Sequence, residues 1–356
     1  MNSACKSVAP SLLQLDAAWF TRTLREGGHA TATVTAVKAT PMALSGAVAD
    51  MARLGLSYAA DGRPGPVSLI AKIRGADSMR VGMDSAMRLY EREARFYSEF
   101  APRVPVRAPR CYYAGDGTTT PLLLEDLGSM RMGDQVQGLS PADAPQVMDA
   151  LGDLHAAFWE SPDTAADWFA APAAGTYAGM IVQMVGSGIG ALRQRFRGRV
   201  DDAVLDAVDR LAPRWGEVLV ACAEGPQTLA HNDCRLDNLF FDADGTPLFV
   251  DWQIIARTRG TQDVGNLLAG SMNNDELSTQ WRALLRRYHQ RLLGNGVRHY
   301  SFDDCCAHYR QNILYPLGAG IALLGHLDIG DSRGLGEIIV LRTLRHCAEL
   351  DAFTSV

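Results

Sequence analysis

The residues best suited to chemistry lie in one short stretch, from His231 to Asn238, and at Asp251. The stretch reads His-Asn-Asp-Cys-Arg-Leu-Asp-Asn, so it supplies a carboxylate at Asp233, a guanidinium at Arg235 and a carboxamide at Asn238. Carboxylate and amide oxygens are suited to holding Mg²⁺ on a nucleotide phosphate. Because Mg²⁺ needs few protein ligands, Asn238 and Asp251 would be enough to bind it.

Asp233 would then have no metal to neutralise it. It is a candidate catalytic base that orients an attacking hydroxyl and accepts its proton. Arg235, a permanent cation, is a candidate for contacting the transferring phosphoryl group. The alternative is that these are ordinary turn residues, because Asp and Asn favour loops.

A hairpin is the element that would position the metal ligands. Two apolar, strand-prone runs at 238–241 and 247–250 flank an Asp-Ala-Asp-Gly turn, which is a strong hairpin signal. Antiparallel pairing of these runs would bring Asn238 opposite Val250 or Asp251. The sequence therefore predicts that the amide and the carboxylate meet at the same end of the ladder.

A second pair of charged residues lies earlier in the chain. Lys72 falls inside an apolar strand predicted at 67–73, and Glu93 falls on the apolar stripe of a helix predicted at 84–100. A carboxylate on such a face is costly unless it has a partner, and Lys72 is the natural candidate. Such a pair can fix an ammonium against nucleotide phosphates. The alternative is a surface lysine on the solvent face of a half-buried strand.

Two weaker signals concern the nucleotide. Gly46 lies between two predicted strands, where a glycine could let backbone N–H groups approach phosphates, although a plain hairpin turn explains it equally well. The strand end from Glu125 to Leu127 could hydrogen-bond an adenine edge through its backbone, and the alternative is an ordinary strand end.

Composition limits the class of protein. The chain has 356 residues, of which 47% are hydrophobic and 21% charged, as in ordinary globular proteins. The net charge of −6 and the lack of a dense Lys/Arg run argue against a nucleic-acid partner. Neither an export signal nor a membrane span is evident, and the seven cysteines lack C-x-x-C spacing. We expect a cytoplasmic protein, either a monomer or a homodimer.

The predicted elements indicate an α+β fold with two lobes. A small β-rich lobe, 1–127, would bind the nucleotide and would end at a hinge at about 124–133. The larger lobe, 128–356, is mainly helical and would hold the catalytic residues and the acceptor. Beyond a helix starting at Ser140, helices are predicted at 177–196, 201–222, 275–293, 302–325 and 333–352.

Together these residues resemble the aminoglycoside phosphotransferase and choline kinase superfamily, and most closely its ecdysteroid-kinase-like bacterial branch. The likeness covers nearly the whole chain in the expected order. Asn232 stands where the superfamily commonly has glycine, and Trp252-Gln253 stands where protein kinases have Phe-Gly. The matching motifs are Leu-Ile-Ala-Lys72, Glu93-Ala-Arg-Phe-Tyr97, Leu-Leu-Leu-Glu-Asp-Leu127, Leu154-His-Ala-Ala-Phe-Trp159, His231 to Asn238, Val250-Asp-Trp-Gln253 and Gln262-Asp-Val-Gly-Asn-Leu267.

The resemblance implies a bilobal protein-kinase-like fold and a kinase that uses ATP and Mg²⁺ to phosphorylate a small-molecule hydroxyl. It implies that Asp233 is the base, that Asn238 and Asp251 bind Mg²⁺, and that Lys72 paired with Glu93 contacts the ATP phosphates. It also implies that His231 and Asp263 brace the catalytic loop.

Two other functions remain open. The first is a catalytically silent, ligand-binding member of the fold, against which the intact motif residues argue. The second is a protein kinase, against which the lack of a recognisable activation segment between Asp251 and Asp263 argues. The acceptor also stays open: abundant acid in the C-terminal helices would suit an aminoglycoside or choline, and an apolar pocket would suit a sterol-like alcohol or a hydroxyacyl thioester.

Overall fold

A computed structural model describes residues 15–42, 49–115, 120–326 and 334–356. The chain divides into two compact units, the first formed by residues 1–103 with 108–130 and the second by residues 104–107 with 131–356. The first unit is β-rich and the second is mainly helical, which confirms the predicted α+β class. How nucleotide binding and acceptor binding divide between the units stays a prediction.

The first unit is built on an antiparallel sheet of five strands in the order β1-β2-β3-β5-β4. A helix, α1 (Ala17–Glu26), precedes the sheet and is capped by the Asp16 side chain, which accepts a hydrogen bond from the Trp19 N–H. The strands are β1 (Val34–Pro41), β2 (Ala49–Tyr58), β3 (Ser68–Arg74), β4 (Cys111–Ala114) and β5 (Leu122–Glu125).

The central strand β3 is buried on both of its faces. Leu69, Ala71 and Ile73 point to one face and belong to the core that includes Phe20 and Leu24 of α1. Because side chains alternate along a strand, the residues between them, including Lys72, face the other side, and they are also buried. The alternative of Lys72 as an ordinary surface lysine is therefore wrong.

The helix predicted at 84–100 is broken. The structure has α2 (Ser78–Met87) and α3 (Leu89–Arg95), followed by a short π-helical turn, and the break lies at Arg88, whose φ is 52°. Asp84 causes the next helix to begin here, because its side chain accepts a hydrogen bond of 2.8 Å from the Tyr90 N–H.

The second unit combines two small sheets with nine described helices. One sheet has the order β6-β8-β9 and the other pairs β10 with β7. None of the helices in the described residues is long and apolar enough to cross a membrane. The strands are β6 (Arg131–Met132), β7 (Thr228–Ala230), β8 (Leu239–Phe241), β9 (Pro247–Phe249) and β10 (Ala256–Thr258).

The helices of this unit differ from the prediction mainly at their breaks. Pro213 lies in a break within the helix predicted at 201–222, and Ile313 lies in a break within the helix predicted at 302–325. The helix expected to start at Ser140 begins at Ala144, because residues 140–143 form a turn first. The helices are α4 (Ala144–Ala157), α5 (Gly175–Phe196), α6 (Asp202–Leu211), α7 (Trp215–Ala223), α8 (Thr261–Ser271), α9 (Asn274–Gly294), α10 (Phe302–Asn312), α11 (Leu314–His326) and α12 (Leu335–Glu349).

The β8–β9 hairpin has the predicted register. Phe241 pairs with Pro247 and Leu239 with Phe249, and the Val250 N–H donates to the Asn238 carbonyl at 3.0 Å. Asn238 therefore lies opposite Val250, one residue from Asp251. This confirms the predicted pairing.

Candidate active site

The loop after β7 is anchored by a fully buried carboxylate. Asp263, in the first turn of α8, accepts hydrogen bonds of 2.7 Å from the backbone N–H groups of both His231 and Asn232. One of its oxygens also lies 3.2 Å from His155 Nε2 on α4. A buried carboxylate that accepts several hydrogen bonds is stabilised without a paired cation nearby. Asp263 therefore fixes the backbone of the loop at His231 and Asn232.

Asn232 gives the loop its turn. Its φ is 69°, in the left-handed region that glycine and asparagine adopt most readily. Its side chain is buried, donates to the Ile254 carbonyl at 3.0 Å, and accepts from the Gln262 amide. Asparagine thus adopts a backbone conformation that glycine also favours, and it adds two side-chain contacts.

His231 holds the next residue in place. Its Nε2 lies 2.9 Å from the Val250 carbonyl, and its Nδ1 lies 3.3 Å from the Asp233 N–H. A carbonyl can only accept and an N–H can only donate, so the ring donates from Nε2 and accepts at Nδ1. The ring also packs 4.5 Å from the ring of Trp252. His231 therefore ties the Asp233 backbone to the strand that leads to Asp251.

The Asp233 carboxylate has two partners. Asn238 Nδ2 donates to Asp233 Oδ2 at 2.9 Å, and Arg235 Nε lies 3.5 Å from the same oxygen. The side chain keeps 24% of its surface accessible. Loss of hydration is the largest influence on its pKa and raises it above the ordinary value of 3.8; Arg235 lowers the pKa and Asp251 raises it. Asp233 is therefore a stronger base than an ordinary aspartate.

Asn238 and Asp251 have the donor chemistry that Mg²⁺ requires. Asn238 Nδ2 donates to both the carbonyl and the carboxylate of Asp233, at 2.9 Å each. This fixes which end of the amide is nitrogen and turns the amide oxygen away from Asp233. Asp251 has a φ of 65° and lies 3.3 Å from Gln253 Nε2 through one oxygen. Two oxygen-bearing groups on adjoining strand ends fit a Mg²⁺ completed by phosphate and water.

The first unit brings Lys72 and Glu93 together. Lys72 Nζ lies 2.6 Å from Glu93 Oε2, and their side chains are only 6% and 2% exposed. The Lys72 carbonyl accepts a hydrogen bond from the Tyr90 hydroxyl at 2.8 Å, which ties β3 to α3. A buried ion pair is expensive to desolvate and is weak evidence for stability, so its presence suggests a functional reason.

The predicted adenine contacts at Glu125 and Leu127 have different outcomes in the structure. The Glu125 N–H donates to the Arg110 carbonyl at 2.9 Å, so it is already used within the sheet. The Leu127 carbonyl accepts from the Met130 N–H, and no backbone hydrogen bond within the described part of the chain uses the Leu127 N–H. Leu127 thus stays a candidate for an adenine edge. Gly46 lies outside the described residues.

Several residues of the site carried no clear signal in the sequence. Gln262 and Tyr315 both contact Asn232, and Tyr315 lies on a helix more than eighty residues away. His155 lies on the apolar face of α4 and is fully buried between Asp263 and Tyr288. Only the apolar helix face around His155 indicated that it is buried, and nothing indicated its partners.

Comparison with solved structures supports a kinase-like fold. A microcompartment-associated aminopropanol kinase has a TM-score of 0.53 and 15% identity, covering 95% of this chain and 100% of its own. The gentamicin complex of the aminoglycoside phosphotransferase APH(2″)-IIa has a TM-score of 0.52 and 15% identity, with coverages of 97% and 99%. A GDP complex of an aminoglycoside 2′-phosphotransferase has a TM-score of 0.51 and 13% identity, with coverages of 95% and 98%.

These likenesses confirm the predicted bilobal, protein-kinase-like α+β class, and at such low identity they concern the fold alone. No curated protein sequence matches the chain. The sequence model of the ecdysteroid kinase-like family matches residues 45–298, which include the Lys72–Glu93 pair, the His231–Asn238 loop and Asp251. That match spans more than half of the chain and confirms the superfamily inferred from the motifs. The chain belongs to the ecdysteroid kinase-like family.

Proposed function

We propose that this protein transfers the γ-phosphoryl group of ATP, with Mg²⁺, to a hydroxyl group of a small molecule. The observation that carries the proposal is the position of Asn238. Its amide nitrogen holds the Asp233 carboxylate, and its amide oxygen, turned the other way, is suited to a metal ion. One side chain would thus set the spacing between the base and the metal.

Mg²⁺, when bound, would neutralise the phosphate charge that grows as the phosphoryl group leaves ADP. Asn238 and Asp251 would hold it. Asp233 would align the acceptor hydroxyl and take its proton as the acceptor oxygen bonds to the γ-phosphorus and the bond to the ADP oxygen breaks. Arg235 would offer its guanidinium to the transferring group, because it keeps its charge at any physiological pH.

Lys72 would contribute from the first unit. Its ammonium group, paired with Glu93 at 2.6 Å, is held in a fixed direction on a buried strand. A fixed ammonium can contact ATP phosphates without losing side-chain freedom on binding. Leu127 would offer its N–H to the adenine edge, and the proposed contribution of Gly46 to phosphate binding stays a prediction.

We propose further that the acceptor is uncharged. Asn312, at the end of α10, accepts a hydrogen bond from Thr261, two residues from the Asp263 that anchors the loop before Asp233. The helix that follows, α11, and α5, which packs on it, would therefore border the acceptor side of the base. As described, neither α5 nor α11 contains an aspartate or glutamate. Asp304, one of the acidic residues that could have suited a cation, caps α10 through Ser301. A cationic acceptor would therefore find little counter-charge on these two helices.

The decisive test compares three variants in transfer and nucleotide-binding assays. Asp233→Ala should abolish transfer while ATP affinity stays within a few-fold. Asp251→Ala should abolish Mg²⁺-dependent ATP binding, and it should also abolish the slow hydrolysis of ATP that occurs without an acceptor. Asp244→Ala removes an exposed carboxylate from the turn of the same hairpin and should change neither quantity.

The same assays separate the competing functions. Nucleotide binding without any turnover in the parent protein would favour the catalytically silent alternative, and a fully active Asp233→Ala variant would refute the assignment of the base. Screening neutral alcohols against choline and aminoglycosides for stimulated ADP release would test the charge of the acceptor. Preference for the cationic compounds would contradict the proposal of an uncharged acceptor.

A further inference from the structure

Two tyrosines from helices far apart in the sequence meet where α5 packs on α11. Tyr177 lies in the first turn of α5 and Tyr315 is the second residue of α11. Their hydroxyl oxygens are 2.7 Å apart. Tyr315 is only 5% exposed, whereas Tyr177 is half-buried. The pair therefore connects the interior of the unit to its surface.

Tyr315 is tied to the catalytic loop. Asn312, three residues before Tyr315, accepts a hydrogen bond of 2.7 Å from Thr261, and the next two residues of α8, Gln262 and Asp263, hold Asn232, the residue before Asp233. The Tyr315 hydroxyl is near enough to Asn232 for the amide to lower its pKa. Asn232 Oδ1 already accepts from Gln262, and its Nδ2 donates one proton to the Ile254 carbonyl. The second Nδ2 proton is suited to the Tyr315 oxygen. Tyr315 then has its own proton to donate to Tyr177.

The electrostatic surroundings agree with this arrangement. Burial raises the pKa of Tyr315 well above its ordinary value, and the Tyr177 hydroxyl and the Asp233 carboxylate raise it further. The Asn232 amide acts in the opposite direction, as a donor to the phenol oxygen does. Tyr315 therefore stays a neutral phenol, able to donate and accept at the same time.

We infer that Tyr177 binds the acceptor molecule next to its reacting hydroxyl and that Tyr315 is a positioning residue that aims Tyr177 from the catalytic loop. The inference rests on the proposed function and extends it to residues outside the family's motifs. A phenol suits an uncharged acceptor, because its hydroxyl can donate to an alcohol or ether oxygen and its ring can pack on a hydrocarbon surface.

The inference can be tested without catalysis by placing 3-fluorotyrosine at position 177 or 315 and recording ¹⁹F spectra. The resonance of the label at 315 should shift in Tyr177→Phe, which removes the hydroxyl 2.7 Å away. Cyclohexanol and myo-inositol, used as neutral probes in the presence of Mg²⁺ and ADP, should shift the resonance at 177 for at least one probe. The same label at Tyr300, a buried tyrosine bonded to His308, should respond to neither.

The kinetic test uses whichever of the two probes the parent protein phosphorylates faster. Tyr177→Phe should raise the KM of the probe about tenfold, the effect of one hydrogen bond of 1.4 kcal/mol, with the KM of ATP unchanged. Tyr315→Phe should lower kcat as well, because it also loosens Asn232. Tyr300→Phe is the matched control, and it should change none of these constants.

The outcomes distinguish this inference from the proposed function. Unchanged kinetics in both variants, or ¹⁹F resonances at 177 that neither probe moves, would overturn the roles of Tyr177 and Tyr315 and leave phosphoryl transfer standing. Resonances that shift while the parent protein transfers no phosphate to any alcohol would refute the proposed function and keep the binding site.

Discussion

The surroundings of Asp233 disfavour its ionised form. Because burial raises its pKa in the folded protein, the ionised form is disfavoured there relative to the unfolded chain. The penalty is full above the folded-state pKa, shrinks as the pH falls below it and the carboxyl group takes up a proton, and is gone below the pKa of the unfolded chain. Active-site groups commonly carry such a cost in stability.

Asp233→Asn should accordingly raise the melting temperature at pH 7.5, by about 2 °C for a gain on the order of 1 kcal/mol. Asparagine keeps an oxygen for Asn238 and removes the repulsion from Asp251. Differential scanning fluorimetry at several pH values would measure the gain, which should shrink at acidic pH. A variant that is less stable than the parent at pH 7.5 would contradict this view of the carboxylate.

Arg235 lowers the pKa of Asp233. Since the base must be ionised to accept a proton, activity should fall as the pH drops through that pKa. Arg235→Gln should raise the pKa and move the acid limb of the kcat/KM profile to higher pH, besides lowering kcat. Arg107→Gln, which removes an arginine paired with Asp242 elsewhere in this unit, should leave the acid limb where it was. An acid limb that moves to lower pH in Arg235→Gln would count against the interaction.

Asp233 and Asn238 could be predicted as partners from the sequence because one motif contains both residues. The spacing of Asp233 and Asn238, six residues inclusive, is enough for a single loop to join them. Tyr315 could not be predicted, because a tyrosine in an apolar helix has no local feature that distinguishes a core residue from one that contacts a loop. Only the packing of the whole unit brings it to Asn232.

At the scale of elements, α5 and α11 pack very closely at Gly188. A methyl group added there would clash with the Ile321 carbonyl oxygen. Backbone atoms cannot move aside as a flexible side chain can, so Gly188→Ala should destabilise the protein by about 2 kcal/mol despite the better helix propensity of alanine. Urea unfolding would measure the loss.

The same helix offers a matched control. A methyl group at Gly186 would meet nothing within 4 Å, so Gly186→Ala should stabilise the protein by up to about 1 kcal/mol through helix propensity alone. Equal effects of the two substitutions would mean that the close approach of α5 and α11 is not maintained in solution.

Asp263 joins three elements through one side chain. It accepts from the backbone N–H groups of His231 and Asn232 and faces His155. Asp263→Asn would replace one acceptor oxygen with a donor and leave a buried N–H unpaired, at a cost of about 2–3 kcal/mol. The melting temperature and kcat should both fall. Asp206→Asn, at a surface ion pair with Arg193, should leave both nearly unchanged. Unchanged kcat in Asp263→Asn would show that the loop does not depend on this anchor.

The elements themselves were largely predictable from pattern, since β3 and the β8–β9 hairpin lie within a few residues of their predicted bounds. The errors fall at helix breaks. Arg88 adopts a left-handed backbone because Asp84 caps the following helix, and a capping carboxylate cannot be distinguished from any other helical aspartate in a periodic pattern. Such breaks depend on three-dimensional partners.

At the scale of the whole molecule, the proposed machinery is divided between the two compact units. Lys72 and Glu93 belong to the first unit, and Asp233, Asn238 and Asp251 belong to the second. The proposed function requires that both sets engage the same nucleotide. Mg²⁺ and ATP should therefore slow amide hydrogen exchange at 68–74 and at 231–251 with a common concentration midpoint.

Hydrogen exchange with mass spectrometry would make that measurement on the full chain. Asp251→Ala should remove the protection in both segments, because it weakens the binding of a single ligand. Two distinct midpoints, or protection confined to one segment, would show that the two sets of residues do not act on one nucleotide.

The left-handed backbone at Asn232 also limits how this position can change over evolutionary time. No single nucleotide change turns an asparagine codon into a glycine codon, so the exchange must pass through aspartate or serine. Aspartate tolerates the backbone angle, but its carboxylate would face the Ile254 carbonyl that now accepts a proton from Asn232. Serine is too short to span both contacts. Either single-nucleotide replacement of this asparagine should therefore weaken the loop that carries Asp233, so a route to glycine at this position passes through a less stable protein.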